Sequence, residues 1–92
     1  MYVGSLRARL LLREARSLKD KRQVLRSIKD RLRNAFNVSE ADVDAQDNRQ
    51  LIVLGLAMVG NERKYVRTTL EHIVAALRSH PVAEFLDHEL DV

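Results

Sequence analysis

Residues 2–36, YVGSLRARLLLREARSLKDKRQVLRSIKDRLRNAF, decide the fold, because the period of their apolar residues changes from two to about 3.6. From Tyr2 to Arg13 apolar residues alternate, and one face carries Leu6, Ala8, Leu10 and Leu12. Such alternation is typical of a β-strand with one face on a core. From Ser17 to Phe36 the spacing is helical, with Ser17 as the predicted N-cap and Asp20 three residues on. The stretch therefore predicts a strand followed by an amphipathic helix.

The middle of the chain predicts a hairpin of two unequal strands. Residues from Asn37 to Asp44 alternate weakly and include acidic side chains. Charge of this kind is typical of an edge strand, because it discourages edge-to-edge pairing. Turn-forming residues follow from Ala45 to Asn48. From Arg49 to Gly60 both faces are apolar, so we expect a central strand there.

A second helix and a last strand complete the chain. Asn61 is the predicted N-cap of this helix, and Pro81 lies just past its end, where helices stop. Between them, inward-facing residues recur at helical spacing: Val66, Leu70, Ile73, Val74 and Leu77. From Val82 to Val92 apolar and acidic residues alternate again, which predicts a strand.

The predicted order is thus strand, helix, strand, strand, helix, strand. With right-handed crossovers, this order gives an α+β fold: a ferredoxin-like βαββαβ sandwich with an antiparallel four-stranded sheet and both helices on one face. We expect one domain over residues 1–92. The last strand should lie beside the first, so that its acids pair with Arg7, Arg9 and Arg13. Phe85 is expected on the open face of the sheet.

Charge is distributed unevenly along the chain. Residues 1–36 contain 11 Lys and Arg against 3 Asp and Glu, whereas residues 37–92 contain 5 against 10. A positive side of this kind attracts polyanions more strongly than the net charge of +3 implies.

The chain has no segment that would cross or be exported through a membrane. No apolar stretch approaches the roughly 20 residues that cross a bilayer. Arginines interrupt the first apolar run, which a signal peptide does not show. We therefore expect a cytoplasmic protein with no membrane partner.

Four segments, taken together, resemble the YlxP-like family of small bacterial proteins. They are YVG at 2–4, ARSLKDKRQVLRSIKDRLRNAFNVS at 15–39, ADVDAQD at 41–47 and VGNERKYV at 59–66. The resemblance implies the ferredoxin-like fold. It also implies a connection with RNA or the ribosome, because genes of this family tend to lie near those of translation and ribosome-maturation factors. It supplies no catalytic residues. Glu40 departs from the family pattern, which has a small or apolar residue after FNVS.

Five cations of the first helix form one row. At about 100° per residue they fall in a sector about 80° wide that flanks the apolar stripe. They are Lys19, Arg22, Arg26, Lys29 and Arg33. A row with about one cation per turn matches a track of phosphates, and only Asp20 and Asp30 are available on the helix to neutralise it. Lys21 projects on the apolar side, where we expect it to snorkel past the end of the core.

We therefore predict a non-catalytic RNA- or ribosome-associated factor that binds through this row. The chain has few aromatic residues: Tyr2, Phe36, Tyr65 and Phe85. Sequence-specific binding of single strands uses paired aromatic stacking surfaces, so we expect binding through backbone charge and shape rather than base reading. The alternative, a row that only keeps the surface hydrated, is equally open at this point.

Two other functions compete with this prediction. An apolar outer face on the strand at 49–60, joined by Val3 and Leu11, would suit a homodimeric protein-interaction module. An acylphosphatase-like hydrolase is less favoured. The connection from Arg13 to Ser17 has no glycine to cradle a phosphate, and Glu14 would repel one.

No metal, cofactor or small-molecule substrate is predicted. The chain contains no cysteine, which excludes disulfides and thiolate metal sites. The acids Asp42, Asp44 and Asp47 have no glycine among them for a calcium loop, and a charged edge strand explains them better. The histidines are eight residues apart, which is not a metal-ligand spacing: His72, His80 and His88.

Overall fold

A computed structural model describes residues 1–92 as four strands and two helices. The elements are β1 (Tyr2–Leu11), α1 (Leu18–Ala35), β2 (Ser39–Asp44), β3 (Leu51–Gly60), α2 (Arg63–Arg78) and β4 (Glu84–Asp91). The sheet is antiparallel with the order β2-β3-β1-β4. The predicted ferredoxin-like α+β fold is therefore confirmed. So are the edge position of β2, the central position of β3, and the pairing of the last strand with the first.

One face of the sheet carries the core. Leu6 of β1 lies opposite Leu56 of β3, and Ala8 lies opposite Leu54, so the buried residues of the two central strands form continuous cross-strand rows. Both helices cover this face with their predicted apolar stripes. The helical part of the core consists of Leu25, Ile28, Leu32, Val66, Leu70, Ile73, Val74 and Leu77. Neither helix is long and apolar enough to cross a membrane.

Gly4 allows α2 to lie close to β1. A Cβ at this position would overlap the side chain of Val66 and approach Leu70 Cδ1 to 2.9 Å. Since both of those helix residues are completely buried, neither can move aside without disturbing the core. The absence of a side chain at Gly4 thus sets the distance between helix and sheet on this side of the sandwich.

Several predicted element ends were wrong by one or two residues. The N-cap of α2 is Glu62 rather than the predicted Asn61, and the helix begins at Arg63. The Glu62 side chain forms no capping hydrogen bond. The strand β3 begins at Leu51 rather than Arg49, because the Asn48 side-chain carbonyl oxygen accepts hydrogen bonds from the Gln50 and Leu51 amides. These local side-chain bonds extend the turn at the expense of the strand.

The turn before β4 is organised by His80. Its Nδ1 accepts the amide hydrogens of Val82 and Ala83, at 3.2 Å each, so the strand starts at Glu84 rather than Val82. Desolvation, together with the charge of Arg31, lowers the pKa of His80 and favours the neutral ring that this acceptor role requires.

The prediction that Phe85 lies on the open face was wrong. Asp87 pairs with Arg9 and Phe85 pairs with Leu10, so a β-bulge in β4 leaves Leu86 as the extra residue. The bulge reverses the alternation and turns Phe85 towards the helices. There it packs half-buried against the core, with the Arg78 guanidinium 4.5 Å from the centre of its ring.

Lys21 is buried, and the prediction that it snorkels was also wrong. Its side chain points under the β2–β3 hairpin and the residue is only 2% exposed. Nζ donates hydrogen bonds of 2.8 Å to the carbonyl oxygens of Ala45 and Asn48. Ala45 has a φ of 54°, a left-handed conformation in which its carbonyl meets the lysine. The sequence pattern could not show these backbone acceptors.

Replacement of Lys21 by Met should destabilise the protein by about 2 kcal/mol, because two charge-assisted hydrogen bonds to the hairpin are lost while the aliphatic volume is kept. Equilibrium unfolding in urea measures the difference. Lys19→Met on the exposed side of the same helix is the matched control and should change the free energy of unfolding by less than about 0.5 kcal/mol. Equal effects of the two changes would contradict a structural role for Lys21.

Candidate nucleic-acid interface

The basic row lies on α1, whose start is defined by reciprocal capping. The Ser17 hydroxyl accepts the Asp20 amide at 3.1 Å, and the Asp20 carboxylate accepts the Arg16 amide at 3.0 Å. This is close to a capping box, with Asp where Glu or Gln is usual. It also engages Asp20, one of only two carboxylates on the helix, in a backbone contact. Asp20 therefore caps the start of α1 and forms no ion pair with the cations of the row.

Four of the five cations in the predicted row form no ion pair in the structure. These four, the free row, are Lys19, Arg22, Arg26 and Lys29. Three of them are exposed, and Lys29 is half-buried. Their unpaired charges lie along three turns of one helix, so the local potential there is positive and is open to solvent anions.

Arg33, the fifth cation, is held by Glu40 of β2. Nε and Nη2 of Arg33 donate to Glu40 Oε1 at 3.1 and 2.9 Å. Glu40 is in register with Leu56 and so points to the helix side of the sheet, where its side chain is 1% exposed. The Arg33 side chain remains 64% exposed. Glu40 thus ties the end of α1 to the edge strand.

Replacement of Arg33 by Ala should destabilise the protein by about 1–3 kcal/mol, since the buried Glu40 carboxylate loses its only hydrogen-bond donor. Adding Glu40→Gln should recover part of this loss, because a neutral amide costs less to bury than an unpaired charge. Arg26→Ala is the control and should have little effect. Thermal or urea unfolding measures all three. A double variant no more stable than Arg33→Ala alone would contradict this explanation.

Arg9 of β1 and Arg13, just beyond the end of β1, are both paired with acids of β4. Arg9 donates to both Asp87 carboxylate oxygens at 2.8 and 2.6 Å, and this contact lowers the pKa of Asp87. Arg13 pairs with Glu84 at 2.9 Å. Both pairs with β4 were predicted. Both pairs are exposed to solvent, which screens them, so they add little to the stability of the fold.

The predicted pairing of Arg7 with β4 was wrong. Arg7 lies opposite Gly55 of β3 and pairs instead with Asp44 of β2 at 3.2 Å, because a register shift in β2 places Asp44 on the same face. Its register partner on β4, Glu89, forms no ion pair. The sheet arginines are therefore occupied, and most of the unpaired cations lie on the two helices.

A polar pocket of about 310 Å³ opens beside the free row. It lies between α1 and the β2–β3 hairpin and is lined by Leu18, Lys21, Arg22, Leu25, Asp42, Gln46 and Asp47. Asp42 faces the helix side in register with Leu54, whereas Asp44 lies opposite Val53 after a register shift. The oxygen Oδ1 of Asp42 is buried and has no hydrogen-bond partner. Sequence reasoning missed this pocket, since only the pairing register separates Asp42 from Asp44.

The open face of the sheet carries a separate, shallow concavity. It has a volume of about 730 Å³, and its floor contains the small residues Ser5, Ala41, Gly55 and Ala57. Around this face Val3, Val43 and Val59 are 51–60% exposed. The expectation that the helices leave one face of β3 uncovered is correct, although Val53 on that face is only 2% exposed.

Comparison with known proteins gives two matches. The model of the family described as "Protein of unknown function (DUF503)" matches residues 3–90. The chain is also similar to the protein described as "Uncharacterized protein YlxP" from Bacillus subtilis (strain 168). The two are 34% identical over 82 residues, which covers 89% of each chain. The family model thus spans the chain from Val3 in β1 to Leu90 in β4 and includes the free row.

Proposed function

From the premise that this chain belongs to the DUF503 family of YlxP-like proteins, we propose that it is a non-catalytic cytoplasmic factor that binds RNA, free or in the ribosome, through the free row of α1. The observation that carries the proposal is the absence of carboxylate partners for those four cations in a protein that pairs its sheet arginines. Unpaired cations about one turn apart match the spacing of a phosphate backbone better than isolated surface charges do.

A non-catalytic role agrees with the connection between β1 and α1. A phosphate cradle at this place would need a glycine-rich loop before the helix. Here the connection contains no glycine. Arg13, the cation nearest the strand end, is engaged with Glu84, and Glu14 is exposed beside it. We therefore expect no turnover of acyl phosphates, and the binding of a polyanion remains the best use of the basic surface.

Reversal of three charges in the free row tests the proposal. For wild type, log affinity for single-stranded RNA should fall against log salt with a slope of about −2.8, since each phosphate contact contributes about −0.7. With Lys19, Arg22 and Arg26 replaced by Glu, the slope should fall to about −0.7. Fluorescence anisotropy of a labelled oligonucleotide at several salt concentrations measures both.

The matched control carries the same change of charge elsewhere. Arg49, Lys64 and Arg67 are exposed and form no ion pairs, so their replacement by Glu should leave a slope near −2.8. A salt-independent affinity in wild type would contradict the proposal. So would a control variant that loses as much of the slope as the variant of the free row.

A second candidate function is homodimerisation through the open face of the sheet. Val43 lines the concavity, and Val3 and Val59 are exposed on the same face of the sheet; exposed apolar side chains of this kind favour burial against a partner surface. Under this hypothesis, sedimentation velocity at micromolar concentration gives a dimer in wild type and a monomer in Val43→Glu. A monomeric wild type would exclude this function and leave RNA binding intact.

A further inference from the structure

We infer that the polar pocket beside the free row takes a guanine base from the bound strand. The inference rests on the proposed function, because it assumes that the free row holds an RNA backbone. It goes further than that function by assigning base selectivity to a protein without paired aromatic platforms. Bases of single-stranded RNA can be turned out of the stack and recognised by hydrogen bonds to their Watson–Crick edges.

The pocket offers a donor and an acceptor that no group in the protein uses. The Lys21 ammonium carries three N–H groups, and two of them bond to the hairpin carbonyls. Asp42 Oδ1 accepts nothing. Lys21 and Asp42 line the same pocket and yet form no ion pair with each other. A ligand between them would satisfy both, and buried polar groups without partners carry a large cost.

The guanine edge has the complementary order of groups. Its O6 accepts a hydrogen bond, which Lys21 can donate, and the neighbouring N1–H and N2–H are donors for a carboxylate. The terminal torsion of an aspartate is soft, so Asp42 can turn Oδ1 towards the ligand. Adenine and cytosine place an unprotonated ring nitrogen against the carboxylate, which repels it. Uracil offers one donor and then a second acceptor, so it fits less well than guanine.

The position of the pocket connects base and backbone. Arg22 belongs both to the free row and to the wall of the pocket. A phosphate held by Arg22 would therefore place its nucleoside at the pocket entrance. Leu18 and Leu25 supply an apolar surface for the face of the base. The hairpin side adds Gln46 and Asp47, which are exposed and lie within reach of the outer part of the base.

Binding of short single-stranded oligoadenylates with one central substitution tests this inference. We expect guanosine at that position to increase the affinity at least about fivefold over adenosine, the lower range for a good bidentate contact. Inosine, which lacks the N2 donor, should give a smaller increase. 2-Aminopurine lacks O6 and the N1–H and should give none. Fluorescence anisotropy at one fixed salt concentration measures the series.

The variant Asp42→Asn keeps the shape of the side chain and should remove the preference for guanosine while the oligoadenylate still binds. Asp30→Asn makes the same change of charge on the exposed side of α1, outside the pocket, and should keep the preference. Thermal unfolding of both variants confirms that each is folded. Equal affinity of wild type for all the oligonucleotides would overturn the pocket assignment alone. Failure of wild type to bind any of them would overturn the proposed function as well.

Discussion

The rotation of α1 about its own axis is fixed at both ends by a charged side chain that crosses to the sheet. Near the N-terminus Lys21 bonds to two carbonyls of the β2–β3 hairpin, and near the C-terminus Arg33 bonds to the buried Glu40 carboxylate of β2. Between them the apolar stripe of Leu25, Ile28 and Leu32 is buried. Lys21, Arg33 and the apolar stripe all lie on the side of α1 that faces the sheet. Together they fix one rotation of the helix, in which the free row faces solvent.

Charge in this small protein is divided between its two layers. On the sheet, every arginine of β1 up to Arg9 has a carboxylate partner on a neighbouring strand, and Arg13 beyond the strand end has one too. On α1, the acid at the start is used in capping and the free row has no partner. Exposed pairs add little stability, but each one removes a positive charge from the field that an anion meets. The unpaired cations therefore lie mostly on the two helices, and four of them form the free row of α1.

The fold could be predicted from the sequence because its signals are periodic. Alternation along β1, helical spacing in α1 and α2, and the acidic edge strand depend only on which residues are apolar, and these predictions were confirmed. The failures have a different cause. Lys21 is buried because its ammonium group donates hydrogen bonds to two backbone carbonyls of the β2–β3 hairpin, which is distant in sequence. Phe85 turns inward because a single bulge reverses the alternation of β4. Arg7 pairs with Asp44, two strands away, because the register shift in β2 places that carboxylate on the open face.

Only part of the candidate site could be predicted from the sequence: the row of cations follows from helical spacing, whereas the pocket does not. Helical geometry alone aligned five cations, but it could not show that the acid at position 40 would be buried under Arg33 and remove it from the row. The pocket depends on tertiary contacts between α1 and the hairpin, together with the register of Asp42. Such contacts join residues about 20 positions apart in the chain, and no local period records them.

RNA binding by the free row can be observed residue by residue in an NMR titration of the isotope-labelled protein with a short single-stranded oligoadenylate. If the free row binds RNA, amide shifts will concentrate on α1 from Lys19 to Lys29, with smaller changes in the adjoining hairpin and none in β4. Shifts that map instead to the open face of the sheet, or a spectrum unchanged at saturating oligonucleotide, would contradict it.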